Sequence, residues 1–354
     1  MDERASITEI GKEFYQIRSL EKDFHRNIYL KRFIGPDGSI VPMIMDPGTR
    51  LDLKFLLPFL QDKIGGMENL KIIFLSHQDP DLTANLSLLM SNAPQSQLVT
   101  SIDTWRLVKM YGVPEKRVKT IESFNSNEIL VKNTQHRLRF VPARYCHFRG
   151  SMMVYDYESR ILFSGDLFGG VNTNLEGGIY ATEDSWEGIS LFHQLYMPST
   201  VALKHTMERI SILNPFPEII APQHGDIVAG ENVYKFLGRL SSLTVGAELV
   251  SQADLQKEQA LLAINNFFSY LQKNCDQVLK IFHEEFRKGK KIFTPLILIN
   301  GRAMDLKVSP TVTFQQIIHI LNTSPDARPY PNLRSIFLDI IKEAGLEFHW
   351  VEDE

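Results

Sequence analysis

The chain has 354 residues, of which 44% are hydrophobic and 23% charged, with a formal net charge of −4. That balance is ordinary for a globular protein and leaves no basic footprint, which argues against a nucleic-acid partner. No run of about 18 apolar residues is present, so no membrane-spanning helix is expected, and Cys146 and Cys275 alone make no disulfide framework.

The N-terminus, MDERASITEIGKEF, lacks the apolar h-region of a secretory signal, so the expected setting is cytoplasmic. FYQIRS and NIYLKRF read as strands, separated by the turn Gly35-Pro36-Asp37-Gly38 from VPMIMD, which ends at Asp46-Pro47-Gly48. A helical pattern follows through LDLKFLLPFLQDKI. KIIFLS is a short apolar run that fits a buried strand, ending in the polar cluster His77-Gln78-Asp79-Pro80-Asp81. Strands and helices alternate to about residue 125. EILVK, HRLRFVPA, SMMVYDY and RILFSGD form a second β-rich stretch, and helical patterns cover 183–195 and 199–213. A last strand, EIIAPQ, runs into His224-Gly225. Two β-rich halves, each with helices, predict an α/β domain over 1–250, with two sheets face to face and helices outside.

Beyond residue 250 the pattern changes. Leu261, Ile264, Phe268, Leu271, Cys275, Val278 and Phe282 alternate spacings of three and four, which predicts one long helix over 251–291. Its seam docks on its own domain or forms a homodimer contact through 255–286. The basic cluster Arg287-Lys288-Gly289-Lys290-Lys291 is expected to cap that helix. Residues 292–354 read as a small α/β extension of unknown role, with strands at TPLILING and LEFHWV and helices over 313–321 and 333–344.

Four strand ends carry metal-ligand chemistry. In an extended His77-x-Asp79-x-Asp81 segment, alternate side chains point the same way, and an imidazole with two carboxylates suits iron, manganese or zinc. His147 lies in RYCHFRG, between HRLRFVPA and the strand SMMVYD; Asp166 ends ILFSGD; His224 ends IIAPQH. One such residue is usually a turn former or a satisfied histidine; four clusters of complementary ligand type point to a site. His25, His136, His193, His205, His283, His319 and His349 read as surface or packing positions, and Cys146 as a small buried thiol. Tyr145, Arg149 and Tyr196 are candidates for lining the pocket.

In SHQDPD, the His147 element, LFSGDLFG and LYMPSTVALKHTMERI leading into APQHG, the chain resembles the metallo-β-lactamase fold over about residues 5–250. Its context is closer to the di-iron branch, the flavodiiron and oxygen-binding di-iron proteins. The resemblance implies an αββα sandwich with two metals at one edge. His77, Asp79 and His147 would bind the first metal, Asp81 and His224 the second, with Asp166 bridging. Hydrolases of the fold usually have histidine in the second slot and the di-iron branch glutamate, so Asp79 sides with two iron ions over zinc or manganese. The chain departs from the pattern at Leu82, where the family usually has histidine. Either leucine there leaves an open position on the second metal, or the second site is weak and the protein holds one metal. The first is favoured, because Asp81, Asp166 and His224 are retained. Leu82→His is then expected to restore a ligand, unless Leu82 simply packs inward. Residues 251–354 hold no flavodoxin phosphate loop, no CxxC pair and no GxGxxG. The expected function is therefore binding of dioxygen or nitric oxide by a sensor or binding module, with electrons and signalling through an external partner. The alternative is a metal-dependent hydrolase, such as a phosphodiesterase, using a metal-bridging hydroxide.

Overall fold

The computed structural model describes residues 5–19, 25–171, 178–249, 256–286 and 295–348. It divides into two compact units, Met1–Leu243 and Thr244–Glu354, where the sequence suggests three segments breaking at 250 and 291.

In the first unit, one sheet runs in chain order: β1 (Ala5–Gly11), β2 (Phe14–Ser19), β3 (Asn27–Ile34), β4 (Ile40–Met45), β5 (Ile72–Phe74), β6 (Gln97–Thr100) and β7 (Val118–Thr120). The first four pair antiparallel, and β4 to β7 pair parallel. The second sheet has β8 (Glu128–Leu130), β9 (Arg137–Pro142), β10 (Met152–Asp156), β11 (Ile161–Gly165), β12 (Ile219–Pro222) and β13 (Val228–Ala229), in reverse order across it. Only β11 and β12 pair parallel there. β1 and β13 are strands that the sequence pattern did not reveal.

Period-two alternation builds the layers. Phe14, Tyr29, Met43, Met45 and Phe74 face Phe140, Val154 and Phe163 between the sheets, with Phe163 ringed by Tyr29 at 5.4 Å and Phe74 at 5.9 Å. Tyr15, Ile17, Ile44 and Ile73 take the opposite face, under Leu56, Phe59 and Leu60 of α1 (Leu53–Ile64). Those three sit at the i, i+3, i+4 spacing of one helix face, and Gly65 ends the helix in the left-handed conformation. The same layer takes in α2 (Pro80–Thr83), α3 (Leu86–Asn92) and Val108 of α4 (Ile102–Val108). Helices α5 (Ser185–Tyr196), α6 (Thr200–Ser211) and α7 (Glu231–Ser242) follow β11 and β12, with α6 packed on β9 and α7 on β13. The result is the expected αββα sandwich.

The second unit corrects the expected long helix. It has two helices, α8 (Lys257–Asn274) and α9 (Asp276–Glu285), because the chain leaves helical geometry at Cys275, with φ −158° and ψ 61°. The seam residues Ile264, Phe268, Leu271, Cys275, Val278 and Phe282 are buried in this unit's own core. They pack there with the hairpin β14 (Leu296–Ile299) and β15 (Arg302–Leu306), and with α10 (Pro310–Thr323) and α11 (Leu333–Glu343). This is the self-docking alternative, and residues 295–348 share that core rather than forming a separate piece. A homodimer through 255–286 would have to use outward positions such as Leu262. Residues 346–348 are not a strand; 349–354 and the basic cluster 287–291 lie outside the described residues.

Candidate metal centre

The six ligand candidates lie where strands end at one edge of the sandwich. Ser76 and His77 follow β5, and Asp79 is the N-cap of α2, with φ −65° and ψ 147°. An N-cap aspartate ordinarily accepts a backbone N–H of the first turn; Asp79 makes no such bond. Its Oδ2 instead lies 3.7 Å from His77 Nε2 and 3.2 Å from His147 Nε2. Gln78 Nε2 donates to its other oxygen, Oδ1, at 2.8 Å. Ligand atoms, one each from His77, Asp79 and His147, lie within 4.8 Å of one another.

Asp81 corrects the extended-segment expectation. The helix begins at Pro80, so Asp81 turns away from the His77 group and meets His224, Oδ2 to Nε2, at 3.2 Å. Two donor sets therefore form from one loop. Asp166 joins them: its Oδ2 is 3.0 Å from His147 Nε2 and 3.5 Å from His77 Nε2, while its Oδ1 faces His224 Nε2 at 3.7 Å. Glycine is required beside it. Gly165 has φ +59°, and a Cβ there would meet Ser76 at 3.0 Å, so a side chain would push the Asp166 loop off the His77 loop.

Second contacts fix the imidazoles. Ser76 Oγ donates to Asp46 Oδ2 at 2.5 Å and lies 2.9 Å from His77 Nδ1, so it accepts the Nδ1–H. His224 Nδ1 lies 3.0 Å from the carbonyl of His25 and donates to it. Both rings thus present Nε2 to the centre, the arrangement by which outer partners orient metal-bound histidines. The His25 ring in turn accepts from Arg18 Nε at 2.7 Å, and Arg18 is paired with Asp226 at 2.5 Å. His193 is fully buried, donating to Ile189 O and accepting from the Phe168 N–H, which braces the turn that follows Asp166.

His77, Asp166 and His224 are buried, whereas the Asp79 and Asp81 side chains are about a third exposed, so the carboxylates form the open side. Tyr196 lines that mouth, its ring 6.3 Å from that of His147 and 4.8 Å from Phe192, which lies 5.7 Å from His224. Burial, then the charges of Asp166, Asp81 and Asp79, push the Tyr196 phenol up to about 12. Arg149 is turned to Asp103 at 3.2 Å. Tyr145 lines a different cavity, of about 490 Å³, with Arg144, Pro198, Val201 and Arg209. Burial raises the Cys146 thiol to about 11, so it is an inert buried thiol.

The electrostatics are those of a centre made for cations. Burial works against charge on His77, but the carboxylates of Asp166, Asp79 and Asp46 outweigh it and raise the ring to about 9. His147 rises to about 10 for the same reason, against burial, through Asp166 and Asp79. Burial works against the Asp166 carboxylate too, yet His77, His147 and His224 hold it down to about 2. Asp46, fully buried, is pushed up to about 7 despite His77 and its bonds from Ser76. Asp166 Oδ1 is buried without a hydrogen-bond partner, the orphan that a bridging metal would satisfy. The His77, Asp79 and His147 donors, with Asp166 beside them, therefore fit a metal ion.

Leu82 is fully buried among Ile17, Leu56 and Leu86. Leu82 packs inward, so a histidine at this position would enter the helix-side core rather than restore a ligand, which corrects the expectation for Leu82→His.

A family model described as ODP family beta lactamase matches residues 25–225, a span that contains all six candidates. The chain belongs to this family. Among solved structures, the apo state of the chemotaxis sensor ODP from T. denticola is 24% identical to this ODP-family chain. It aligns with a TM-score of 0.57 over 69% of this chain and 96% of that one. A structure described as a peroxy diiron species of chemotaxis sensor ODP is 25% identical, with a TM-score of 0.54 over 69% and 97%. A curated relative named as diflavin flavoprotein A 5, from Nostoc sp. PCC 7120, is 24% identical over 190 residues. That match is 52% of this chain but only 32% of the relative, so the ODP-family chain spans about a third of it. The fold expected from sequence is thus the fold found, and the kinship is with the di-iron branch rather than with hydrolases. Among the described residues no helix is long and apolar enough to cross a membrane.

Asp46, Ser76, Gln78, His25 and Gln223 were not singled out from sequence. Ser76, Gln78 and Gln223 flank candidates at strand ends, and that adjacency is the signal the sequence carried for them. Asp46 read as a turn former, and His25 contributes through its carbonyl, which no side-chain pattern encodes.

Proposed function

We propose that the chain is a di-iron protein that binds dioxygen, or nitric oxide, as a sensor or binding module. His77, Asp79 and His147 would hold one iron and Asp81 and His224 the other, with Asp166 shared between the two sets. The division of the two Asp166 oxygens between the two donor sets is the observation that carries this reading. Asp79 adds a hard oxygen donor where zinc hydrolases of the fold use nitrogen, which favours iron. The peroxy diiron description of the sensor relative supports dioxygen as the ligand.

Bound iron would supply open coordination positions able to take a diatomic ligand and exchange electrons with it. The chain's own residues do the rest. Ser76 and the His25 carbonyl aim the Nε2 atoms, and Gln78 holds Asp79 by Oδ1, leaving Oδ2 turned to the histidines. Phe192 and Tyr196 place aromatic rings beside His224 and His147. Sustained turnover would draw electrons from an external redox partner.

Elemental analysis after iron-replete expression tests this: iron approaching two per chain is expected, with an optical change when dioxygen is admitted to the reduced protein. Mainly zinc, with no iron retained, would remove the di-iron reading.

A further inference from the structure

Because Leu82 faces the core, the second metal has only Asp81, Asp166 and His224 as protein ligands, and Asp81 is the exposed member of the three. A carboxylate on a half-open loop turn can rotate into solvent, so something must hold it toward His224. Gln223 is placed to do this. It is 1% exposed, and its backbone is pinned on both sides. Its N–H donates to the Gly165 carbonyl at 2.7 Å, and its own carbonyl accepts from the Asn27 N–H at 2.6 Å. Its side-chain Nε2 donates to Asp81 Oδ2 at 3.2 Å, the same oxygen that lies 3.2 Å from His224 Nε2. Gln78 grips Asp79 by the oxygen turned away from its histidines; Gln223 grips Asp81 by the oxygen turned toward its own.

Resting on the two-metal reading above, we infer that Gln223 is the positioning residue of the second metal, holding Asp81 where position 82 supplies no ligand. An amide suits this role physically. It orients a carboxylate without neutralising it, whereas a lysine or arginine would compete with the metal for the charge. Asp81 Oδ2 has a second lone pair left for the metal. The Gln223 Oε1 atom is buried and has no partner, an arrangement that costs about 1–3 kcal/mol when left unmet and points to a group that enters with the metal.

The test loads the wild-type chain, Gln223→Leu and Gln223→Met with ferrous iron under anaerobic conditions. Iron per chain is measured after desalting, and release to a chromogenic chelator is followed in time. Outer partners of metal ligands typically contribute 10- to 100-fold in affinity. Both variants should therefore lose the weaker iron's affinity by about that factor and keep the tighter iron unchanged. Melting of the metal-free variants should match the wild type. Variants that retain and release the weaker iron as the wild type does would overturn the inference. So would equal loss of both irons together with a lowered melting temperature, which marks a general packing defect. A wild-type chain that itself holds fewer than two irons would instead bring down the two-metal reading, and this inference with it.

Discussion

Metal loading of this centre should release protons in a number set by its charge arrangement. In the metal-free protein, His77 and His147 titrate near 9 and 10 because carboxylates surround them, so both are cationic at pH 7. Iron at their Nε2 atoms must displace both protons, so loading that side at pH 7 should release about two. Asp46, near 7, adds up to about half a proton more as the metal favours its carboxylate. Two histidines at the ordinary value of about 6.5 would together release only about half a proton. Apparent affinity should consequently rise about 100-fold per pH unit below pH 9. Anaerobic calorimetry of ferrous iron binding, in buffers of differing ionisation enthalpy, counts these protons directly. A release near half a proton per chain would show that the carboxylates do not charge the histidines, and the electrostatic account would fail. The same shifts govern the metal-free protein's stability. The His77 and His147 contribution is complete below pH 6.5 and lost as pH rises through about 9 to 10, since their folded-state values are raised. The Asp166 contribution is present above about 3.8 and lost as pH falls toward 2, since its value is depressed. These three groups favour the folded state most between about pH 4 and 6.5. The buried His25 and His193, held neutral to about 3 and 4, outweigh the opposing Asp46 and place the thermal-melting maximum toward the upper end of that window.

Asp166→Ala should lose both metals, whereas His224→Ala should lose mainly the second; equal partial losses by elemental analysis would contradict the bridge. Leu82→His should not tighten metal retention, because the side chain points into the helix-side core. It should cost about 2–4 kcal/mol in denaturant unfolding, and a variant that gains retention with unchanged stability would mean the loop is shaped otherwise.

Ligand identity was legible in the sequence for a physical reason. Each candidate stands directly after a short apolar run or in the loop between two, and a buried strand must end where polar side chains reach the surface. His77, Asp166 and His224 are marked in this way by KIIFLS, ILFSGD and IIAPQ. Layer order was legible too, because KIIFL and RILF are apolar on both faces, as strands covered on both sides require. Tertiary structure alone decided how the ligands divide. The turn of helix at Pro80 separates Asp81 from Asp79, and only the meeting of β5, β11 and β12 brings Asp166 between the two sets. The long-range supports were hidden: Asp46 meets Ser76 and Gln223 meets Asp81 across 30 and 142 residues of chain, separations that local pattern does not encode. In the second unit, a heptad seam has the same spacing whether it faces another chain or its own core. Phe337, folding back onto Phe267 and packed in turn on Phe314, made it a core.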